Sequence, residues 1–242
     1  MSSKISVVVP AYNEEQFIGA LLRKILDVDL TVFSTAKEII VVDDGSSDRT
    51  SKVAAGFEGV QVLKQVPNQG KGAAVRRGIE AATGDYLIIQ DADLEYEPDD
   101  YVVMLRKLRE PGIEVVYGSR YLAGYERGTL VNWWLGKNRN QGWGAYLGGR
   151  SLSLVGLLFC GKYLTDTVTA LKLFRRSVIA NLELFTTGFE LDHEITAKLL
   201  ARGHVIHEVP IQYSPRTSVE GKKIGLRDWF IAIRTFWAYR DL

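Results

Sequence analysis

The stretch GDYLIIQDADLEYEP, Gly84 to Pro98, decides the fold. It is apolar around Leu87, Ile88 and Ile89 and then sets carboxylates at every second position, Asp91, Asp93, Glu95 and Glu97. A solvated strand would alternate acid with apolar residues along its whole length. Here the acids begin only where the strand should end, which is where an open α/β sheet keeps its ligand. Asp91 and Asp93, two residues apart, project to one side of an extended chain. Adjacent carboxylates repel unless a cation joins them, and all-oxygen ligation suits Mg2+ or Mn2+ better than zinc. Glu95 is either a third ligand or an exposed acid.

Working outward, ISVVVP, EIIVVDD, VQVLKQ and EVVYGSR are further β-branched runs that end in turns or acids. They are expected to form parallel strands with YLIIQ. Helices are expected over Glu14 to Asp27, with Asn13 as N-cap and Gln16 completing a capping box, and over Ser51 to Gly56, Lys71 to Ala82 and Asp99 to Glu110. This alternation predicts an α/β fold with right-handed crossovers. After Arg120 the pattern changes to the aromatic, Gly-rich NQGWGAYLGGRSLSLVGLLF, then a short apolar VIANLELF and a late strand in HVIHEVPIQY. There is no repeat or low-complexity linker. A single domain over 1–225 is expected, with halves 1–120 and 121–225, followed by a helix over 226–242.

A chain of 242 residues can bury a substantial core. Its 30 Lys plus Arg against 29 Asp plus Glu argue against nucleic acid as a partner, so only local charge is informative. The single cysteine, Cys160, excludes an internal disulfide and is expected to pack. The N-terminus reads as a strand rather than a signal peptide. The longest run without charge, Ser151 to Gly161, falls short of the roughly 18 to 20 residues of a spanning helix.

A second acidic pair, Asp43 and Asp44, ends VVDDGSSDRT. These acids could accept hydrogen bonds from a ribose or base; the alternative is an Asx turn, which suits Asp48 better. NQGKGAAVRRG is neither a P-loop nor a dinucleotide fingerprint, because Lys71 is followed by Gly72 and the last glycine position is Val75.

Taken together, VVPAYNEE, VVDDGSSDRT, NQGKGAA, GDYLIIQDADLEYEP and YGSR resemble the nucleotide-sugar half of a family 2 glycosyltransferase, over Ile5 to Arg120. The resemblance implies the GT-A (nucleotide-diphospho-sugar transferase) fold, a mixed, mostly parallel sheet flanked by helices. By resemblance, Pro10, Ala11, Tyr12 and Glu14 with Asp43 and Asp44 hold the nucleoside. Lys71 and Ala92 belong to the same donor site, and Asp91, Asp93 and Glu95 bind the metal on the diphosphate.

The second half is similar to polyprenyl-phosphate sugar synthases of the dolichyl-phosphate mannose synthase type. That subgroup implies inverting, metal-dependent transfer of a hexose from a nucleoside diphosphate sugar, GDP-mannose ahead of UDP-glucose and UDP-N-acetylglucosamine, to a polyprenyl or dolichyl phosphate. The alternatives are a family 2 enzyme with a saccharide or other hydroxyl acceptor, and a non-catalytic binder of nucleotide sugars. Matching by motif, Arg120 and Arg150 face the acceptor phosphate, with Arg216 and Lys222 on a late loop. Guanidinium groups bind phosphate as a fork and keep their charge, although a salt bridge would also explain any one of them. Asp166 matches a family position near the sugar. Glu190, Asp192 and Glu194 could supply a general base for a hydroxyl acceptor; a phosphate acceptor needs none. Glu194 could equally pair with Lys198 or Arg202 on one helix face. His193, His204 and His207 show no ligand spacing.

In the tail, Trp229, Phe230, Ile233 and Trp237 recur at helical spacing among Lys222, Lys223, Arg227, Arg234 and Arg240. Such a helix fits a membrane interface or packs on the domain. Many relatives continue into transmembrane helices where this sequence stops at Leu242. A cytoplasmic protein held peripherally at the membrane surface is therefore expected.

Overall fold

The computed structural model describes residues 3–122, 143–215 and 226–241. In chain order, the first half supplies β1 (Ser3–Ala11), α1 (Ile18–Asp27), β2 (Thr35–Asp43), α2 (Thr50–Ala54), β3 (Val60–Lys64), α3 (Lys71–Ala81), β4 (Tyr86–Ile89), α4 (Asp100–Leu108) and β5 (Val115–Ser119). The second half adds α5 (Trp143–Cys160), β6 (Lys172–Arg175), α6 (Arg176–Ala180), α7 (Leu191–Ala201), β7 (Ile206–Pro210) and α8 (Leu226–Ala238).

The strands form one sheet in the order β3-β2-β1-β4-β6-β5-β7. All five strands expected in the first half run the same way, but β5 is not beside β4. The unanticipated β6 lies between them, antiparallel to both. The sheet is buried on both faces. Val7, Val9, Ile39 and Val41 face one apolar cluster with Leu21, Leu22, Met104 and Leu105, while Val8, Ile40 and Val42 face another with Ala74, Val75, Ile195 and Leu199. Two-sided burial explains the unbroken β-branched runs, since both sides of each strand must be apolar.

The first helix starts at Ile18 rather than at Glu14, where the capping-box reading places it. Asn13 has φ +55, and its side-chain oxygen accepts from Ser47 N–H at 2.9 Å instead of capping a helix. Glu14 N–H donates to Thr50 Oγ1 at 2.8 Å. The chain after β1 is thus tied to the loop after β2, and those groups are lost to a helical first turn. Asp48 makes the expected Asx turn ahead of α2, accepting from Thr50 N–H at 2.9 Å.

Candidate active site

Parallel registration brings two motif ends together at one sheet edge. Pro10 pairs with Val42 and Ala11 with Asp43, and Asp44 N–H donates to the Ala11 carbonyl at 2.9 Å. Tyr12, 40 % exposed, lies just beyond. Asp43 is buried and accepts from Ser46 N–H at 3.0 Å, so it does take part in an Asx-type turn. Asp44 accepts from Gln65 Nε2 and from the backbone N–H groups of Gln69 and Gly70, at 2.6 to 2.8 Å. Both Asp44 oxygens thus accept from the loop that carries Lys71 and help to position it.

Asp91 follows β4 and meets Lys71 Nζ at 2.7 Å, with Ala92 buried between Asp91 and Asp93. Lys71 also reaches Asp192 at 3.4 Å, and Asp192 accepts from the buried Lys172 at 2.7 Å. Burial alone would lower the Lys71 pKa, but Asp192 and Asp91 outweigh it and hold the ammonium above the ordinary lysine range, with Asp93 adding to the effect. Burial opposes the charge of Asp192, yet Lys172 and Lys71 bring it down to about 2.

Glu95 accepts a hydrogen bond from Tyr213 O–H at its Oε2, at 2.9 Å. No three His, Cys, Asp or Glu side chains converge as a metal cage among the described residues. Asp91 and Asp93 nevertheless fit a hard divalent cation by the chemistry of their oxygens, beside an ammonium that already answers their charge.

Tyr213 pairs with Tyr96, their ring centroids 5.3 Å apart, and Arg120 lies 5.0 Å over the Tyr213 ring. Arg120 donates through Nε and Nη2 to the two oxygens of Asp166, each at 2.7 Å. Asp166 is fully buried, and its loop is held by Glu208, which accepts from Thr165 N–H at 2.7 Å and Asp166 N–H at 2.9 Å. Arg120 also lies 5.8 Å from the Tyr121 ring, and Arg150 lies 5.5 Å from the same ring and 5.9 Å from Tyr163. Arg150 Nη1 is buried without a hydrogen-bond partner among the described residues. Tyrosines and guanidiniums therefore form a connected series from Glu95 through Tyr213, Arg120 and Tyr121 to Arg150.

Glu194 makes the ion pair with Lys198, at 2.6 Å, and accepts from Phe185 and Thr186 N–H, so it is structural. Glu190 accepts from Gly188 N–H at 3.2 Å. His193 is buried against Phe236, and His204 meets Glu114 at 3.0 Å. Arg216 and Lys222 lie outside the described residues. The residues that sequence reasoning missed are Lys172, Tyr96, Tyr121, Tyr163, Tyr213 and Glu208. A lysine inside the apolar stretch ALKLF was the available signal for Lys172, since a buried cation there demands an acidic partner.

The chain matches the glycosyl transferase family 2 model over residues 6–182. It is 30 % identical over 227 residues to a dolichol-phosphate mannosyltransferase of Pyrococcus furiosus, covering 92 % of this chain but only 60 % of that protein. It is 31 % identical over 212 residues to a dolichyl-phosphate hexose transferase of Haloferax volcanii, covering 88 % of this chain and 83 % of the relative. Among solved structures, glucosyl-3-phosphoglycerate synthase of Mycobacterium tuberculosis in complex with UDP superposes with a TM-score of 0.72 at 22 % identity, over 98 % of this chain and 80 % of that one. The same enzyme with Mn2+, UDP-glucose and phosphoglyceric acid gives 0.71 at 21 % identity, with the same coverage. These neighbours carry the GT-A architecture, with a mixed and mostly parallel sheet, and the family match with its relatives makes the chain an enzyme of the glycosyltransferase class. The chain belongs to glycosyl transferase family 2.

Proposed function

We propose that this glycosyltransferase moves a hexose from a nucleoside diphosphate sugar to a polyprenyl or dolichyl phosphate, with GDP-mannose the favoured donor. The observation that carries the reading is the Arg120 and Arg150 pair on the Tyr121 ring, with a buried Arg150 N–H that has no hydrogen-bond partner among the described residues. A buried guanidinium donor calls for an anion, and phosphate oxygens match its fork. The names of the Pyrococcus and Haloferax relatives support a lipid phosphate as that anion.

In this reading Pro10, Ala11, Tyr12, Glu14 and Asp43 form the nucleoside pocket. Asp91 and Asp93 hold Mg2+ or Mn2+ together with the donor diphosphate, a role supported by the Mn2+ in the glucosyl-3-phosphoglycerate synthase complex. Once bound, the cation would supply positive charge to the departing diphosphate. Lys71 adds a second positive charge. Arg120, locked by Asp166, and Arg150 orient the acceptor phosphate for in-line attack. A phosphate oxygen forms the new bond to the anomeric carbon as the sugar's bond to the nucleoside diphosphate breaks, so the configuration inverts. The electron pair leaves on the diphosphate, and no protein base is required because the acceptor is already anionic.

The acceptor's lipid tail places the work at a bilayer surface. No helix among the described residues is long and apolar enough to cross a membrane. The tail stripe divides: Phe236 and Ala232 are fully buried and Trp229 donates to Ser151 Oγ at 2.8 Å, while Phe230 and Trp237 stand exposed. Exposed Leu147, Leu154 and Leu158 lie on α5, the helix against which α8 packs. This exposed set supports peripheral docking.

The test is a panel of GDP-mannose, UDP-glucose and UDP-N-acetylglucosamine, each offered with a short polyprenyl phosphate or a saccharide acceptor, and product followed by mass. A hexosyl polyprenyl phosphate is expected. Transfer only to hydroxyl acceptors would overturn the reading.

A further inference from the structure

The reading of Asp91 and Asp93 as the cation and diphosphate site leaves a conflict with Lys71. Its ammonium lies 2.7 Å from Asp91 Oδ1 and 3.0 Å from Oδ2, so it engages both oxygens through which that carboxylate would hold a divalent ion. The backbone that carries it is held on both sides. Before Lys71, the N–H groups of Gln69 and Gly70 donate to Asp44, each at 2.8 Å. After it, Ala73 N–H donates to the Thr187 carbonyl at 3.2 Å. A Cβ on Gly72 would come within 2.8 Å of the Thr186 and Gly188 carbonyl oxygens, so the backbone here packs closely on that loop. Any movement of the ammonium therefore falls to the Lys71 side chain. Its second partner, Asp192 at 3.4 Å, is anchored in turn by Lys172 at 2.7 Å.

We propose that Lys71 is a tethered counter-cation that guards the metal pair: it competes with a divalent ion for Asp91 in the free enzyme and swings to the donor diphosphate when the nucleotide binds. Asp192 and Lys172 are positioning residues, which keep the ammonium between the two carboxylates. The free protein then holds a divalent ion weakly, and holds it tightly only with nucleotide. The inference rests on the cation and diphosphate reading of Asp91 and Asp93.

The test is Mn2+ binding to the full chain, followed by the loss of the free-ion electron paramagnetic resonance signal, alone and with saturating GDP or UDP. Lys71→Met should bind Mn2+ alone about tenfold or more tightly than the wild type, the change expected when a partly buried competing charge is removed. The same variant should show a smaller gain on adding nucleotide. Lys71→Arg, which keeps the charge, should retain weak binding of Mn2+ alone. An unchanged or weaker Mn2+ affinity in Lys71→Met, in protein whose thermal melt is intact, overturns the guard while leaving the metal reading in place. Absence of Mn2+ binding in wild type and variant, with and without nucleotide, overturns both.

Discussion

Removing the Asp166 carboxylate should strand a buried charge. Asp166 is fully buried and the Arg120 side chain is only 12 % exposed, so water screens the pair little. The geometry is bidentate, and burial, which would lower the Arg120 pKa, is outweighed by Asp166. Breaking such a pair by deleting one partner costs about 3–5 kcal/mol, because the remaining ion keeps its desolvation penalty. For a chain of this size that corresponds to a fall in Tm of roughly 6–20 °C. Asp166→Ala should show this loss in thermal and urea unfolding. The double variant Arg120→Met, Asp166→Leu removes both charges and should recover most of the stability, yet stay inactive with a polyprenyl phosphate. An Asp166→Ala protein that loses less than about 1 kcal/mol, the range of an exposed ion pair, would refute the reasoning.

Four further outcomes are expected. Asp93→Asn should abolish both turnover and metal-dependent donor binding; undiminished activity in metal-free buffer would remove the metal role. Arg150→Ala should raise the KM for polyprenyl phosphate well above any change in donor KM, as steady-state kinetics in both substrates would read. Burial pushes the His193 pKa down to about 4 from 6.5, against the pull of Asp192. The unfolded chain then binds more protons between those values, so stability is full above about pH 6.5 and falls by up to about 3 kcal/mol toward pH 4; His193→Leu should flatten Tm against pH over that window. Trp237→Ser should reduce cosedimentation with anionic liposomes at low salt without lowering Tm, whereas Trp229→Ser, which loses the bond to Ser151, should lower Tm; wild-type protein that stays in the supernatant would refute surface docking.

The fold of the first half was legible in the sequence because its signals are local. Strands buried on both faces must be β-branched throughout, and the acids of Asp43 and Asp91 stand out where those runs stop. Parallel registration of β1 with β2 then follows from the helical crossover between them. What the sequence could not determine depends on partners far along the chain. Strand β6 is only four residues long, and its place between β4 and β5 is set by pairing Arg175 with Tyr86 and Phe174 with Val115, segments distant from it in the chain. Which neighbours Asp44 and Glu95 meet is also long-range: Asp44 accepts from the Gln69 and Gly70 amides, and Glu95 from Tyr213. Periodicity likewise identified the tail helix without dividing its stripe, since Phe236 is buried and Trp237 exposed only once α5 and α7 lie against one side. A side chain's chemistry is written in the sequence; whether a ligand, a neighbouring loop or solvent receives it is decided by long-range packing, which chooses the nearest partner able to offset the cost of burial.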